Sequence, residues 1–541
     1  MRALGITLLG QLAFALRSGS NGKGNGALAE PEVAAKRVAV IGAGAGGSST
    51  AYFLSQNADA AGIPVDISVF ERGARVGGRC TTVNAWSDPA QPVELGASIF
   101  VDVNRILVDA AEKFDLSTAS MGAPRAEGAA ELGVWDGKQF LVKTSDEDGW
   151  WQKAKLLWRY GLAPIKTNSL MKSTVAKFLT MYAEPVFPWK SLNEVVHDVG
   201  LADTMAMTGL QFLTANGIGE KFAHEIIQAS TRVNYAQNLK LIHGLETMVC
   251  MATSGAMSIA GGNYQIFDRM LESSSSISTH LNTSVTKISK QSDNTYNLTT
   301  SSGEISSFDD VVLATPLQFA SIEIDPAPEH VPDEIPYVEM FVTLFASPHR
   351  LDPKAFNLEA GKQVPNFVLT TLPDGEDTGS DPNGVGTPGF WSISIIRTGL
   401  NPHGAPSPEN IYKIFAPKPA GAKLLSHILG KYISDDEAEH GSRNGAISWI
   451  HHKTWHSYPY EYPRVTFDEI SLDDGLWYTS SIESFISTME TSALAGKNVA
   501  KLIVDRWQGM ADGEIVTVQS NEEWGYTGLK GQHQRPLEAE L

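Results

Sequence analysis

The order of apolar and polar positions near the start of the chain predicts a strand, a glycine-rich turn, a helix and a second strand. The apolar run VAVI begins at Val38 and is followed at once by the glycines of GAGAGG. The spacing then predicts a helix over Ser48–Gln56 and, after a polar loop, a strand over Val65–Phe70. This order is typical of the βαβ unit that opens a doubly wound α/β sheet.

The remaining pattern predicts two domains whose segments alternate along the chain, because 541 residues are too many for one compact core. Residues 103–230 are mostly helical in pattern, and residues 337–396 alternate as strands do. Helices are predicted over Tyr264–Leu271 and Met489–Trp507, and strands over Ser284–Ile288 and Tyr296–Thr300. The run DDVVLATPL, which starts at residue 309, predicts a further buried strand.

The glycines of the first turn have the spacing of a dinucleotide-binding loop. Gly42 permits a tight turn, Gly44 lets the backbone approach a diphosphate, and Gly47 allows the helix to pack closely on the strand. Ala43 lies between the first two glycines. The helix that follows presents its amide groups and its positive dipole end to the phosphates.

A second glycine-containing pattern, ERGxxxGGR, follows at the end of the second predicted strand. The carboxylate of Glu71 is placed to accept both ribose hydroxyls of an adenosine, although it could also be an ordinary residue at a strand end. Gly77 and Gly78 let a loop lie against the diphosphate, and Arg79 adds a cationic donor. Arg72 is either a neighbour of the diphosphate or a surface charge.

This pair of patterns resembles the FAD signature of the amine oxidase and phytoene desaturase superfamily. The resemblance implies an α/β fold, a doubly wound FAD-binding Rossmann-type domain with an interleaved α+β substrate domain. It also implies that VELGAS (residues 93–98) runs beside the flavin and that the backbone at Val285 meets the adenine. Glu490 and Thr491 begin the last helix, where its N-terminus would face the ribityl and diphosphate groups.

Further segments resemble the prenylcysteine oxidase family, also called prenylcysteine lyases. They are GWWQKAKLLWRYGL at 149–162, TRVNYAQN at 231–238, GGNYQIFDRML at 261–271 and the long run at 482–507. The resemblance implies that farnesyl- or geranylgeranyl-cysteine is cleaved with O2 and water to cysteine, a prenyl aldehyde and hydrogen peroxide. The loop at 372–389 and the charged tail depart from the family, so a related flavin oxidase acting on another thioether, an amine or a terpenoid is the alternative.

Candidate substrate-binding residues lie in two segments. Asn234 and Tyr235 are candidates for a wall of the substrate site, and His456 and Tyr458 for orienting water or the cysteine carboxylate. The same segments are also consistent with ordinary packing. Neighbours with the same two interpretations are His451, His452, Tyr460 and Tyr462. Three interpretations are open for a further group of residues: they line a prenyl tunnel, they contact a membrane, or they pack in the core. These residues are Trp150, Trp151, Leu157 and Trp158.

Composition limits the partners and the chemistry. The formal net charge of −19 argues against a nucleic-acid partner, which requires clustered Lys and Arg. The two cysteines, Cys80 and Cys250, form no CxxC pair, so we expect no metal site, while a single disulfide stays open. Without a CxxC pair, redox chemistry would need a cofactor. No nucleophile triad is visible in the sequence, and the thioether chemistry that the resemblance implies requires none.

The N-terminus resembles a secretory signal peptide. Arg2 precedes a short apolar run that ends near Ala15, which is too short to cross a bilayer comfortably, although a buried helix is the alternative. Sequons begin at Asn282 and Asn297. We therefore expect a lysosomal, vacuolar or secreted glycoprotein without a transmembrane segment. A peripheral contact with a membrane or with lipid is compatible with this expectation.

These observations predict the following segments: signal peptide 1–18, flexible leader 19–35, FAD-binding domain 36–102, mainly helical substrate region 103–260, second FAD-binding segment 261–320, substrate-domain sheet 321–475, third FAD-binding segment 476–510 and tail 511–541.

Overall fold

The sheet that begins with the predicted first strand is completed by strands from the middle and the end of the chain. A computed structural model describes residues 34–120, 132–144, 157–379, 381, 384–403 and 407–509. The predicted signal peptide, most of the leader, the tail, Trp150 and Trp151 lie outside the described residues. No helix in the described part of the chain is both long enough and apolar enough to cross a membrane.

Twenty-one strands are present among the described residues, and their bounds are as follows. They are β1 Lys36–Ile41, β2 Val65–Phe70, β3 Thr81–Asn84, β4 Pro92–Gly96, β5 Thr118–Ser120, β6 Leu132–Trp135, β7 Phe140–Thr144, β8 Met257–Ile259, β9 Ile277–His280, β10 Val285–Lys290, β11 Tyr296–Thr300, β12 Ile305–Phe308, β13 Asp310–Leu313, β14 Glu323–Asp325, β15 Tyr337–Ser347, β16 Phe367–Thr370, β17 Ser392–Asn401, β18 Ser407–Ala416, β19 Trp449–Pro459, β20 Ser471–Asp473 and β21 Leu476–Tyr478.

Eight of the thirteen α-helices in the described residues lie between β7 and β10. They are α1 Ala45–Ala60, α2 Arg105–Lys113, α3 Ala163–Leu179, α4 Leu192–Asp198, α5 Ala202–Met205, α6 Gly209–Ala215, α7 Glu220–Phe222, α8 Gln228–Tyr235, α9 Gly244–Met251, α10 Tyr264–Glu272, α11 Ala422–Leu429, α12 Asp435–His440 and α13 Met489–Trp507. A π-helical turn, Ala223–Ile227, joins α7 to α8.

The nucleotide-side sheet has the strand order β20-β21-β13-β1-β2-β9. β1 pairs in parallel with both β2 and β13, so Val38 lies between Ile67 and Asp310. The doubly wound α/β fold is thus assembled from segments far apart in sequence. β20 already belongs to this sheet, so the third nucleotide-side segment begins at Ser471, ahead of the boundary expected at 476.

Helices α1 and α13 pack closely against each other because both have a glycine at their contact. α1 packs against α13 so closely that a Cβ placed on Gly496 would lie 2.3 Å from the carbonyl oxygen of Gly46. The interior of this layer is apolar and includes Val38, Val40, Leu54 and Ile503. Burial of these side chains provides the main stabilisation of the layer.

The second large sheet has the order β19-β15-β18-β17-β16-β6-β7. Its first five strands come from the segment predicted as the substrate-domain sheet. β6 and β7 come from the region 103–260, which was expected to be mainly helical. Their sequence, LGVWDGKQFLVKT, reverses at Asp136 and Gly137, and the aspartate side chain accepts hydrogen bonds from two backbone amides of the turn.

The helical layer over this sheet is held by a buried arginine. Arg232 on α8 is fully buried and lies over the ring of Trp391 at 4.6 Å. Its guanidinium donates to Thr370, to Asn238 and to the carbonyl of Val385. The family-like segment TRVNYAQN thereby attaches α8 to the sheet and to the loop at 372–389.

We predict that Gly47→Ala destabilises the folded protein, whereas Gly44→Ala leaves its stability nearly unchanged. A Cβ on Gly47 would lie 1.9 Å from the carbonyl oxygen of Gly42, but the nearest atom to a Cβ on Gly44 is 3.8 Å away. Overpacking against backbone costs about 3 kcal/mol or more. Thermal melts should show a Tm lowered by at least about 5 °C for Gly47→Ala only. Equal melts for both variants would contradict the packing argument.

Candidate active site

The first glycine turn forms one end of a large cavity. Gly42 has φ of 107°, and a Cβ on it would lie 2.7 Å from the carbonyl oxygen of Ala314. α1 then begins at Ala45 with Gly44 as its N-cap, and its N-terminus opens on the cavity. Gly47 lies behind the turn, where it contacts Gly42 rather than the cavity. Gly42 and Gly47 therefore occupy the tight-turn and close-packing positions that their spacing predicts, while the approach of a diphosphate to Gly44 stays a prediction.

The second glycine turn lies directly on the first. The Gly77 amide donates to the Ala43 carbonyl at 2.9 Å, and Gly78 has φ of 58°. A Cβ on Gly78 would lie 3.1 Å from the Cα of Gly44. Both glycines line the cavity, so the two turns present a joint surface of bare backbone. Such a surface lets a diphosphate approach main-chain amides.

Glu71 is held at the edge of this surface. One carboxylate oxygen accepts from the Ala43 amide at 3.0 Å, and the other accepts from the Gly73 amide at 2.7 Å. The side chain lines the cavity at the end of β2, as the ribose-binding prediction requires. The backbone bonds fix the orientation of the carboxylate before any ligand binds.

The two predicted arginines are directed toward protein partners. Arg72 donates to the carbonyl of Phe319 at 2.9 Å. Arg79 forms an ion pair with the buried carboxylate of Glu483 at 2.7 Å and donates to the carbonyl of Ser457. Arg79 lines the cavity as half of a charge pair, and its role as a cationic donor to the diphosphate stays a prediction.

Val285 lines the cavity at the first residue of β10, with its side chain buried. The last predicted pair begins α13. The Thr491 hydroxyl takes part in a capping box with Thr488. The carboxylate of Glu490 instead caps α2, where it accepts from the amides of Ile106 and Leu107, and it also accepts from the hydroxyl of Tyr182. Only the backbone of Glu490 remains available to a cofactor, and burial raises the pKa of its carboxyl to about 7.

The cavity joins these nucleotide-side elements to the second large sheet. Its volume is about 1250 Å³, larger than the roughly 300–1,000 Å³ of most single small-molecule sites. The sheet contributes an apolar wall. The wall includes Val342, Phe367, Leu369, Ile396, Phe415 and Trp455. Gly96 in the VELGAS loop allows this sheet to approach, because a Cβ there would lie 2.4 Å from Trp455.

All four candidate substrate residues line this same cavity. Tyr458 contacts the ring of Tyr235 with centroids 5.0 Å apart, and the Tyr235 hydroxyl donates to the Ser487 carbonyl at 3.0 Å. His456 stacks on Phe319 at 4.6 Å. The Asn234 side-chain amide donates to the Ser230 carbonyl at 3.0 Å.

The other histidines and tyrosines of that segment lie outside the cavity lining. His452 bonds to the Thr343 hydroxyl and to the Ala438 carbonyl, which gives it a structural position between β15 and α12. Burial lowers the pKa of His451. Tyr460 and Tyr462 stack on each other with centroids 5.7 Å apart. Packing accounts for these four residues.

A buried lysine that sequence reasoning missed faces the cavity from β18. Lys413 donates to the Ser98 hydroxyl at 2.7 Å, and burial lowers its pKa to about 8 against the opposing effect of Glu94. Burial likewise raises the pKa of Glu94. The signal was present in IYKIFA, where a cation shares the inward alternation of Ile411 and Phe415.

Both cysteines are free thiols that line the cavity. The disulfide that the sequence left open is absent from the structure. Burial raises the pKa of Cys80 and of Cys250 well above the ordinary value. Both side chains are therefore neutral thiols at physiological pH.

The donor set and the shape of the nucleotide side fit a flavin dinucleotide. The contact of Gly44 with Gly78 leaves a cradle that a Cβ would fill, and Glu71 stands at its edge. The N-termini of α1 and α13 both open on the same cavity. These features combine backbone donors and positive dipole ends, which suit an extended diphosphate.

Comparisons with known proteins agree with this geometry. Residues 40–112 match the model for an NAD(P)-binding Rossmann-like domain. Among solved structures, a putrescine oxidase variant is similar with a TM-score of 0.54 and 13% identity, covering 87% of this chain and 99% of that one. A cyclohexylamine oxidase from Brevibacterium oxydans gives a TM-score of 0.53 and 16% identity, covering 88% and 100%. These likenesses confirm the fold.

Relatives with higher identity extend over nearly the whole chain. Farnesylcysteine lyase from Arabidopsis thaliana is 30% identical over 87% of this chain and 88% of its own length. Prenylcysteine oxidase 1 from Bos taurus is 30% identical over 89% of this chain and 91% of its own. Residues 143–514 match the family model described as prenylcysteine lyase. The chain therefore belongs to the prenylcysteine lyase family.

Proposed function

We propose that this protein is an FAD-dependent prenylcysteine oxidase. It cleaves the thioether of farnesyl- or geranylgeranyl-cysteine with water and O2, and it releases cysteine, a prenyl aldehyde and hydrogen peroxide. The similarity to a farnesylcysteine lyase and to a prenylcysteine oxidase supports this substrate class. The observation that carries the proposal is the single cavity that joins two nucleotide-binding glycine turns to an apolar wall.

The residues that would hold FAD are those around the glycine turns. The backbone of Gly42, Gly44 and Gly78 would contact the diphosphate, and Glu71 would accept the ribose hydroxyls. Val285 lies where strand β10 would meet the adenine. When bound, the flavin accepts a hydride from the substrate carbon that lies between the sulfur and the allylic double bond.

The substrate itself supplies much of the chemical assistance. The sulfur lone pair and the double bond both stabilise a developing positive charge on that carbon, so no strong protein base is required. Water then adds to the carbon, and the hemithioacetal collapses to the thiol of cysteine and the aldehyde. Asn234, His456 and Tyr458 line the cavity and would orient the water or the charged end of cysteine.

The apolar wall would hold the prenyl chain. Phe367, Leu369, Ile396 and Phe415 belong to neighbouring strands of the second large sheet and face the cavity together. Transfer of an isoprenoid chain from water to such a wall is favourable by roughly 0.8 kcal/mol for each buried CH2 group. A wall of this kind would bind farnesyl and geranylgeranyl groups by area rather than by specific polar contacts.

Lys413 would stabilise the negative charge that hydride transfer delivers into the cavity. Its ammonium group is buried and bonded to Ser98 in the loop that resembles the flavin-side VELGAS segment. A cation in a site shielded from water stabilises charge strongly. Above its pKa of about 8, the same side chain is neutral and loses this effect.

We also propose that O2 reoxidises the flavin and that the protein acts in the secretory pathway, in a lysosome, a vacuole or outside the cell. The similarity to prenylcysteine oxidase 1 from Bos taurus supports O2 as the electron acceptor. The basic and apolar start of the chain supports the compartment. The sequon asparagine Asn282 lies exposed in a turn with φ of 54°, where a glycan would be accommodated.

An apolar surface before and on α3 supports contact with lipid. Trp158 is 91% exposed, and Leu157, Leu162 and Ile165 are each at least half exposed. Farther along the same helix, Val175, Phe178 and Leu179 line the cavity. We propose that this surface rests on a lipid surface, so that α3 leads from the bilayer interface toward the prenyl-binding wall.

Farnesylcysteine is expected to bleach the flavin absorbance of the purified protein when added without oxygen. With oxygen present, peroxide and the prenyl aldehyde should form in equal amounts. Putrescine and cyclohexylamine serve as controls, because the solved structures with this fold include oxidases of those amines. Bleaching by an amine but not by farnesylcysteine would favour the alternative, a flavin amine oxidase.

Lys413→Met is expected to lower kcat by about 10²–10³-fold at neutral pH, because the cavity loses its buried cation. In the parent, the activity that depends on Lys413 should be present below its pKa of about 8 and decline above it. Lys413→Arg should retain activity at higher pH than the parent. Lys453→Met is the matched control, since that lysine is exposed on β19 at the cavity edge. Equal effects of the two Met variants would contradict this role.

Trp158→Ser combined with Leu162→Ser is expected to weaken binding to phosphatidylcholine vesicles by at least about tenfold, as measured by co-sedimentation. The two substitutions remove apolar area from the exposed surface. Tyr432→Ser is the matched control, because Tyr432 is 89% exposed but lies after α11, in another part of the fold. Unchanged partitioning of the double variant would argue against a lipid-contacting role.

A further inference from the structure

A cluster of three ionisable side chains is buried behind the cavity wall. His243, Glu246 and Glu461 are each almost completely inaccessible to solvent, and their potential ligand atoms lie within 4.8 Å of one another. The Nε2 atom of His243 is 3.4 Å from an oxygen of Glu461. The cluster joins the start of α9 to the segment that follows β19.

The carboxylates in this cluster have no conventional partners. The Tyr235 hydroxyl and the Ser487 amide lie close to the Glu246 carboxylate. Within the part of the chain that the structure describes, however, no hydrogen bond of good geometry reaches either oxygen of Glu246 or of Glu461. An isolated ionised carboxylate is very costly to bury, and two of them within a few ångströms are costlier still. At least one of the two carboxyl groups must therefore carry a proton or neutralise its charge in another way.

The geometry of His243 argues against a metal ion as the neutralising group. Its Nδ1 accepts a hydrogen bond from the Glu246 amide at 3.0 Å, as the N-cap of α9. A neutral imidazole that accepts at Nδ1 carries its hydrogen on Nε2, so Nε2 has no lone pair for a metal. The nearest carboxylate oxygen to Nε2 is that of Glu461, at 3.4 Å, with no hydrogen bond formed. Burial also lowers the pKa of His243 to about 3, which keeps the ring neutral.

The charges that surround the pair favour one retained negative charge. The groups that act on it from neighbouring elements are Arg79, Tyr235, His243, Cys250, Arg464 and Glu483. Arg79 is already paired with Glu483, which leaves Arg464 to balance a single anionic charge on the cluster. Burial raises the pKa of Glu246 to about 8 and raises that of Glu461 well above its ordinary value, with repulsion by Glu246 adding to the second effect.

We propose that Glu246 and Glu461 hold one proton between them and that this protonated pair positions Tyr235 in the cavity wall. Tyr235 lies beside Glu246, and its hydroxyl donates to the Ser487 carbonyl just before α13. Loss of the shared proton would place a second negative charge behind the tyrosine. Repulsion between the two carboxylates would then shift Glu246, and with it the Tyr235 hydroxyl that lies against it in the cavity wall. The inference goes beyond the proposed reaction and holds for whichever substrate the cavity accepts.

Infrared spectroscopy of the intact protein tests the shared proton directly. The parent should show a carboxylic acid C=O stretch at neutral pH that is absent from the variant Glu246→Gln/Glu461→Gln. Elemental analysis of the purified parent should find no stoichiometric metal that the variant lacks. A spectrum without a protonated carboxyl contribution from this pair, or one equivalent of metal bound through it, would overturn the proposal.

The pH dependence of stability gives a second readout that needs no substrate. The folded-state pKa of Glu246, about 8, lies above its ordinary value of 4.5, so the folded protein retains a proton that the unfolded chain releases in this window. Stability from the pair is complete below the lower value and is lost as pH rises toward the higher one. The unfolding equilibrium constant of the parent, relative to that of the double Gln variant, should rise by up to about tenfold per pH unit across the window.

Two controls separate positioning from simple structural support. Glu409→Gln replaces a buried carboxylate that accepts from Asn401 and Ser448, and it should not reproduce the pH-dependent difference. In steady-state assays, KM of the parent divided by KM of the double variant should rise at least about fivefold between about pH 6 and about pH 9, while the two kcat profiles stay parallel. A constant ratio would contradict positioning of Tyr235. Should the double variant not fold, Glu246→Gln alone provides the same comparisons.

Discussion

Two glycine turns in direct backbone contact set the geometry of the nucleotide side of the cavity. The Gly77 amide bonds to the Ala43 carbonyl, while the Ala43 amide bonds to Glu71, so three points of the nucleotide side are fixed by one residue. Any side chain at Gly78 would press on Gly44. The first strand, the second strand and the loop after it therefore meet at a fixed separation, and the N-terminus of α1 is aligned with the same opening.

The chemistry of the cavity arises because the two sheets are interleaved. The nucleotide-side sheet provides backbone donors, whereas the second large sheet provides Phe415, Trp455 and the buried Lys413. Gly96 allows the two layers to touch, since its missing side chain makes room for the indole of Trp455. A cofactor surface made of main chain and a substrate surface made of side chains can thus vary independently. One fold can therefore serve different substrates, and the solved structures with this fold include oxidases of putrescine and of cyclohexylamine.

Local sequence predicts local geometry well, and it predicts distant contacts poorly. The motif around Gly42 and the strand ending at Glu71 depend on neighbours within one βαβ unit, so spacing suffices to identify them. Glu490 begins α13 as expected, but its carboxylate caps α2, a helix almost four hundred residues earlier. Arg79 likewise pairs with Glu483, and no local pattern contains that partner. The strands β6 and β7 join a sheet whose other members follow two hundred residues later, so helical surroundings concealed them.

The state of the two thiols has a consequence for the lifetime of an enzyme of this kind. Cys80 and Cys250 line the cavity in which, under the proposed function, an unsaturated aldehyde and peroxide are generated. A thiolate attacks either of these electrophiles much faster than a neutral thiol does. Because burial holds these sulfur atoms in their protonated form, the catalyst is protected from alkylation and oxidation by its own products.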